Sequence, residues 1–145
     1  MPTVAQVIVD SLIAKGVTHA FAVPGESYLP VLDALYDTGD RLELITCRHE
    51  AAAANMAEAY GKLTGRPGVA LVTRGPGATH ASIGVHTAFQ DSTPMLLFVG
   101  QVGTDMLQRE AFQEIDYRLM FAGVAKRVVV LDRADRAAEL VASAV

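Results

Sequence analysis

The stretch Thr46-Cys47-Arg48-His49-Glu50-Ala51-Ala52-Ala53-Ala54-Asn55-Met56-Ala57-Glu58-Ala59-Tyr60 decides the fold. Two patterns meet in it. Residues 42–46, Leu-Glu-Leu-Ile-Thr, read as a short strand. From Glu50 onward the alanine-rich run predicts a helix to about residue 63, with Gly65 and Pro67 placed to end it. Glu50 therefore sits where a strand hands over to a helix. In an open parallel sheet, ligands bind outside the carboxyl ends of the strands. An acidic group at a helix N-terminus is also favoured by the macrodipole. Glu50 is thus either an ordinary first-turn charge or the carboxylate of a site.

Working outward, the chain on both sides alternates strand and helix. Thr3-Val4-Ala5-Gln6 has capping-box spacing, Ile8 and Leu12 follow at helical spacing, and Gly16 suits a helix end. Residues 19–23 read as a strand ending in the turn Val23-Pro24-Gly25-Glu26. Ser27 is placed to cap a helix over 28–37, with Pro30 in its first turn. Residues 68–73 are a third strand, running into a turn Arg74-Gly75-Pro76-Gly77 and then a helix to about 89. Pro94 opens a strand over 95–99, which ends at Gly100-Gln101. An irregular polar stretch, about 102–116, carries Phe112-Gln113-Glu114, and long ordered loops of this kind are often functional. A weaker strand over 126–131 and a helix from 134, capped by Asp132, finish the chain. The alternation predicts one α/β domain over 1–145: a three-layer open sandwich, with a mainly parallel sheet and helices on both faces.

Composition fits that reading and excludes others. Half of the 145 residues are apolar and only 19% are charged, as expected of a sheet buried on both faces or of a domain that also buries surface against partners. The net charge of −4 and the lack of a basic stripe argue against nucleic-acid binding. Cys47 is the only cysteine, so no intrachain disulfide is possible, and the role of a small buried apolar residue in a reducing compartment is expected. No apolar run approaches a membrane span, and the start Met1-Pro2-Thr3 lacks the features of a signal peptide. These features predict a cytoplasmic protein.

Four predicted strand ends carry unusual residues: 23–26, His49-Glu50, Thr73 through Gly77, and 100–113. Convergence on one sheet edge is a stronger sign of a site than any single motif. The Gly75-Pro76-Gly77 turn would let backbone approach a flat ligand, but its glycine spacing matches neither the Walker loop nor the dinucleotide fingerprint. Of the histidines His19, His49, His80 and His86, the last two lie six apart on one helix and face different sides. No metal-ligand spacing appears, so no metal site is expected. Ser27, Ser82 and Ser92 lack a nucleophile-elbow setting. One candidate carboxylate beside glycine turns, with no resident nucleophile, implies that a cofactor carries the chemistry.

The stretches Phe21-Ala22-Val23-Pro24-Gly25, Arg48-His49-Glu50-Ala51-Ala52-Ala53, Met56-Ala57-Glu58-Ala59-Tyr60, Thr64-Gly65-Arg66-Pro67-Gly68 and Gly75-Pro76-Gly77-Ala78-Thr79 occur in order along the chain. Asp91-Ser92-Thr93-Pro94-Met95, Gly100-Gln101-Val102 and Ala111-Phe112-Gln113-Glu114 follow them. Together they resemble the N-terminal, pyrimidine-binding domain of thiamine-diphosphate enzymes, most closely the large subunit of acetolactate synthase and related carboligases. Two departures stand out: His80 replaces the family's usual Asn, and Arg74 stands where a small residue is usual.

The resemblance implies a function. Glu50 would hydrogen-bond the pyrimidine N1′ and activate the cofactor. Val23, Pro24, Gly25, Glu26, Thr73, Gly75, Pro76, Gly77 and His80 would surround the pyrimidine ring, and Gln113, with Phe112, would line the approach to the reacting carbon. The reaction implied is decarboxylation of a 2-oxo acid followed by ligation to a second carbonyl compound. Mg2+ and the diphosphate would be bound by a domain that these 145 residues do not include, as would any FAD, which the sequence cannot indicate. The implied partners are a second copy of the chain or a complementary diphosphate-binding domain, with the alanine-rich face of the Glu50 helix suited to packing between subunits. By itself the chain is expected to be inactive. A non-catalytic assembly or regulatory module with the same fold is the alternative.

Overall fold

The computed structural model describes residues 2–145. Helix α1 (Val4–Ala14) starts at Thr3, whose hydroxyl accepts from the Gln6 amide while the Gln6 side chain accepts from the Thr3 amide, so the capping box forms as expected. Strand β1 (His19–Ala22) follows. A 3-10 turn (Glu26–Tyr28) and helix α2 (Leu29–Tyr36), with Pro30 in the first turn, lead to strand β2 (Glu43–Thr46). Helix α3 (Glu50–Thr64) closes on Gly65 in the left-handed region at φ 68°, where glycine carries no Cβ penalty. Strand β3 (Gly68–Thr73), helix α4 (Arg74–Asp91) and strand β4 (Met95–Gly100) complete the framework. Beyond it lie the loop 101–116, a short helix α5 (Tyr117–Phe121) and helix α6 (Ala137–Ala144).

The sheet is wholly parallel, in the order β2-β1-β3-β4. Ala22 pairs with Thr46 and Leu71, and Thr73 pairs with Gly100, so every strand delivers its carboxyl end to one edge. Side chains alternate across the sheet. Val69 and Leu71 of β3 join α1, α2 and α6 in one core, whereas Ala70 and Val72 face α3 and α4 on the other side. The three-layer open sandwich predicted from the alternation is the observed architecture.

The second face is unusually tight because its residues are small. Ala53, Ala54, Ala57 and Ala81 are fully buried. A Cβ placed on Gly84 of α4 would lie 2.6 Å from the Ala54 Cβ and 2.7 Å from its carbonyl carbon. Ala53, Ala54 and Ala57 of the alanine-rich helix therefore pack inside the chain, against α4 and β3, while Ala52 and Ala59 stay exposed. What α3 and α4 leave outside includes Met56, Leu63 and Ile83.

Four local expectations are corrected. Ser27 caps no helix; its hydroxyl shares a hydrogen bond with Thr73 Oγ1 at 2.6 Å, because α2 begins after a 3-10 turn. Arg74-Gly75-Pro76-Gly77 is the first turn of α4 rather than a preceding turn, since proline needs no amide partner there. Residues 126–131 form no strand among the described residues: no strand pairs with the outer edge of β4, and a groove separates that edge from Val128–Leu131. Asp132 caps nothing; Arg133 precedes a 3-10 turn (Ala134–Arg136) that enters α6.

Candidate functional site

Two clusters meet at the carboxyl edge of the sheet. The first belongs to α3 and α4. His49 stands at the N-cap of α3 in extended conformation, and its Nδ1 accepts the Ala51 amide at 3.1 Å. That bond turns the next side chain, Glu50, inward, where it is only 15% exposed. His80, one and a half turns into α4, donates from Nδ1 to Glu50 Oε2 at 2.9 Å and stacks on His49 with ring centroids 4.6 Å apart. No hydrogen-bond partner to Glu50 Oε1 occurs among the described residues.

His49, Glu50 and His80 hold potential ligand atoms within 4.8 Å of one another, a grouping that helix spacing could not foresee because the two histidines come from different elements. The trio is arranged as a hydrogen-bonded stack. His49 Nδ1 is engaged as a helix cap, and near-parallel rings direct their lone pairs side by side rather than at one point.

The second cluster joins the ends of β1 and β3 to the loop after β4. Gly25 lies against Thr73 so closely that a Cβ on it would come 2.5 Å from the Thr73 Cβ. The Gly75 amide donates to the Gln113 carbonyl at 3.0 Å, fastening the loop to the start of α4. Gln113 is half-buried, with φ 63°. The loop's shape comes from Glu114, whose carboxylate accepts the Gln108 and Ala111 amides at 2.6 and 3.2 Å. Arg74 donates to Glu26 at 2.6 Å and lies under the Phe112 ring, 5.8 Å from its centroid. Of the residues singled out in the sequence, Glu50 and His80 touch each other. Gly25, Glu26, Thr73, Gly75 and Gln113 form the second group, while Pro24 and Pro76 are exposed between them.

Tyr28 connects the clusters, and sequence reading missed it, treating it as a helix start. It is buried; its hydroxyl donates to the Val23 carbonyl, with Leu71 O 3.3 Å away. Burial, reinforced by the nearby Glu50 charge, pushes its phenol up to about 12. Its only sequence signal was an aromatic residue just after a Pro-Gly strand end.

The geometry defines a class first: an open parallel α/β domain with a half-sequestered carboxylate at the carboxyl edge of its sheet, framed by close-packed backbone turns. The particular family follows from comparison. The chain belongs to the thiamine pyrophosphate enzyme, N-terminal TPP binding domain family, whose model matches residues 2–120. It is 44% identical over 125 residues to the acetolactate synthase large subunit of Buchnera aphidicola subsp. Acyrthosiphon pisum, covering 86% of this chain and 21% of that protein. It is 42% identical over 125 residues to the acetolactate synthase isozyme 3 large subunit of Escherichia coli, with the same coverage. Against the acetolactate synthase of Bacillus subtilis it is 41% identical over 141 residues, 97% of this chain and 24% of that protein. The chain thus spans about a fifth to a quarter of the length of these relatives. Among the described residues, no helix is long and apolar enough to cross a membrane.

Proposed function

We propose that this chain supplies the pyrimidine half of a thiamine-diphosphate site in an acetolactate-synthase-like enzyme, with Glu50 as its proton-sharing acid. The observation that carries this reading is the state of Glu50: one oxygen held by His80, the other without a hydrogen-bond partner among the described residues, both at the edge where ligands of parallel sheets bind. Such a carboxylate suits an N–H of an aminopyrimidine, and partial burial strengthens the bond.

When bound, thiamine diphosphate supplies carbanion stabilisation at its thiazolium carbon. The chain's own residues have simpler tasks. Glu50 holds and exchanges a proton at pyrimidine N1′. His80 keeps the carboxylate oriented through its Nδ1–H. Val23, Pro24 and Gly25 join Thr73, Gly75, Pro76 and Gly77 in one continuous wall for a flat ring, because Gly25 packs directly on Thr73. Gln113, fixed through its backbone to Gly75, and Phe112 flank the approach to the reacting carbon. Glu26 pairs with Arg74 and is 68% exposed. The reaction is decarboxylation of a 2-oxo acid and ligation to a second carbonyl compound, with diphosphate and Mg2+ held by a complementary domain.

The test is exchange of the thiazolium C2 proton of bound thiamine diphosphate into heavy water, in the complete enzyme carrying Glu50→Gln. The amide can still accept from His80, so folding should hold, while exchange and turnover should fall by roughly 10²–10⁴-fold. Fast exchange in the Gln variant would reduce Glu50 to a helix-start charge.

A further inference from the structure

Among the described residues Arg74 is the one half-buried lysine or arginine at the carboxyl edge of the sheet, and its surroundings do not account for it. It is a non-glycine residue in the left-handed region, at φ 42°, a conformation disfavoured for side chains of this size. Its side chain is 15% exposed, yet it receives only one hydrogen-bonded acceptor among the described residues, Glu26 Oε1 on NH1. Its Nε is buried with no acceptor among the described residues. A buried N–H left unpaired costs about as much as a hydrogen bond is worth, or more. Glu114, the other acid nearby, is tied to two loop amides and does not bond to the guanidinium.

A guanidinium presents planar edges that match a carboxylate in bidentate fashion. Here Glu26, itself 68% exposed, occupies NH1, so a carboxylate that takes the NH1–NH2 edge must displace it, while the Nε hydrogen has no acceptor among the described residues. Phe112, which lies over the guanidinium, is 71% exposed and belongs to the loop that carries Gln113. One exposed carboxylate and one exposed ring are the polar and stacking partners of this cation, which Tyr117 also approaches, and the side chains of Glu26 and Phe112 make no other hydrogen bond or ion pair among the described residues.

We propose that Arg74 is the receptor for the carboxylate of a 2-oxo acid substrate, with Glu26 as the exchangeable carboxylate that the substrate displaces. The proposal rests on the thiamine-dependent reading for its substrate class and adds a specificity-determining residue to it. Thr73, next in the chain, lines the same edge as Gly25 and Gly75, so a carboxylate held by Arg74 stays beside the proposed ring walls.

The experiment is titration of the protein, free of thiamine diphosphate, with pyruvate, followed by the arginine Nε–Hε resonances. The Arg74 Nε–Hε signal should move saturably. Arg74→Met should weaken binding about 10- to 100-fold, the loss expected of charge-assisted hydrogen bonds. Glu26→Gln should tighten it roughly two- to fivefold by removing the competitor. Pyruvamide, uncharged but of the same shape, should bind far more weakly than pyruvate; because this arm uses the unaltered protein, it decides the matter even if Arg74→Met does not fold. Equal binding of pyruvamide, equal affinity in a folded Arg74→Met variant, tighter binding of inorganic phosphate than of pyruvate, or pyruvate shifts without Arg74 would each overturn the assignment. Thiamine diphosphate binding is scored separately, in the complete enzyme. Pyruvate on Arg74 with no thiamine diphosphate binding by the complete enzyme would sink the functional reading alone, and thiamine diphosphate binding without pyruvate on Arg74 would sink only the carboxylate receptor.

Discussion

Replacing Gly84 by Ala tests whether the close approach of α3 and α4 builds the site. Gly84 lies one turn beyond His80 on α4, and Ala54 lies one turn beyond Glu50 on α3. The contact between this small pair therefore sits directly below the Glu50–His80 hydrogen bond. Two considerations predict opposite signs for Gly84→Ala. Helix propensity alone predicts stabilisation by about 1 kcal/mol. Packing predicts the reverse, because the new methyl would meet the Ala54 Cβ at 2.6 Å, its carbonyl carbon at 2.7 Å and its carbonyl oxygen at 2.9 Å, against an optimum of about 3.5–4.0 Å. Two of those three atoms are backbone, so no rotamer change relieves them. The penalty belongs near the upper end of about 1–3 kcal/mol for overpacking, leaving a net loss of about 2 kcal/mol. For a chain of this length the melting temperature should fall by roughly 4–8 °C. Thermal unfolding followed by circular dichroism measures the fall, and histidine ring resonances report whether His80 has left Glu50. Ala54→Gly added to Gly84→Ala should recover only part of the loss, because the backbone atoms of residue 54 remain. An unchanged or raised melting temperature would refute the idea that small residues set the helix spacing.

Two further perturbations probe the site. The Tyr28 phenol, at about 12 against its ordinary value of 10.0, binds its proton more tightly in the folded state; stability should be full below about pH 10 and decline as pH rises towards 12. Tyr28→Phe should remove part of that decline, leaving the share due to Tyr117, whose phenol burial also pushes up to about 12, and should cost about 1–2 kcal/mol at neutral pH through loss of its hydrogen bonds to the Val23 and Leu71 carbonyls; urea unfolding across the alkaline range distinguishes the two, and an unaltered pH slope would count against it. His80→Asn should change stability by under about 1 kcal/mol, since the His80 side chain is 52% exposed, and should leave thiamine diphosphate binding intact in the complete enzyme, as calorimetric titration would show; an unfolded variant would mean that His80 supports the core.

The sequence by itself determined the alternation of elements, the parallel sheet, the capping box at Thr3, the close of α3 at Gly65 and the placement of Glu50 at a strand-to-helix junction. These features are local: apolar runs, cap chemistry and left-handed glycine each act within a few residues, and the ordered motifs of the family were equally legible. The weaker strand over 126–131 failed as a prediction because strand character needs a partner, and among the described residues β4 pairs with no strand besides β3. The alanines of α3 signal close packing without saying against what: α4 and β3 take Ala53, Ala54 and Ala57, and Ala52 and Ala59 stay exposed. Tertiary structure alone brought His80 to Glu50 and Arg74 to Glu26, pairs 30 and 48 residues apart. It also set Tyr28 beneath both clusters. Such contacts depend on how closely two helices and three strand ends approach in space, and that distance is fixed by side chains such as Gly84, Ala54 and Gly25, whose effect appears only when the elements are packed together.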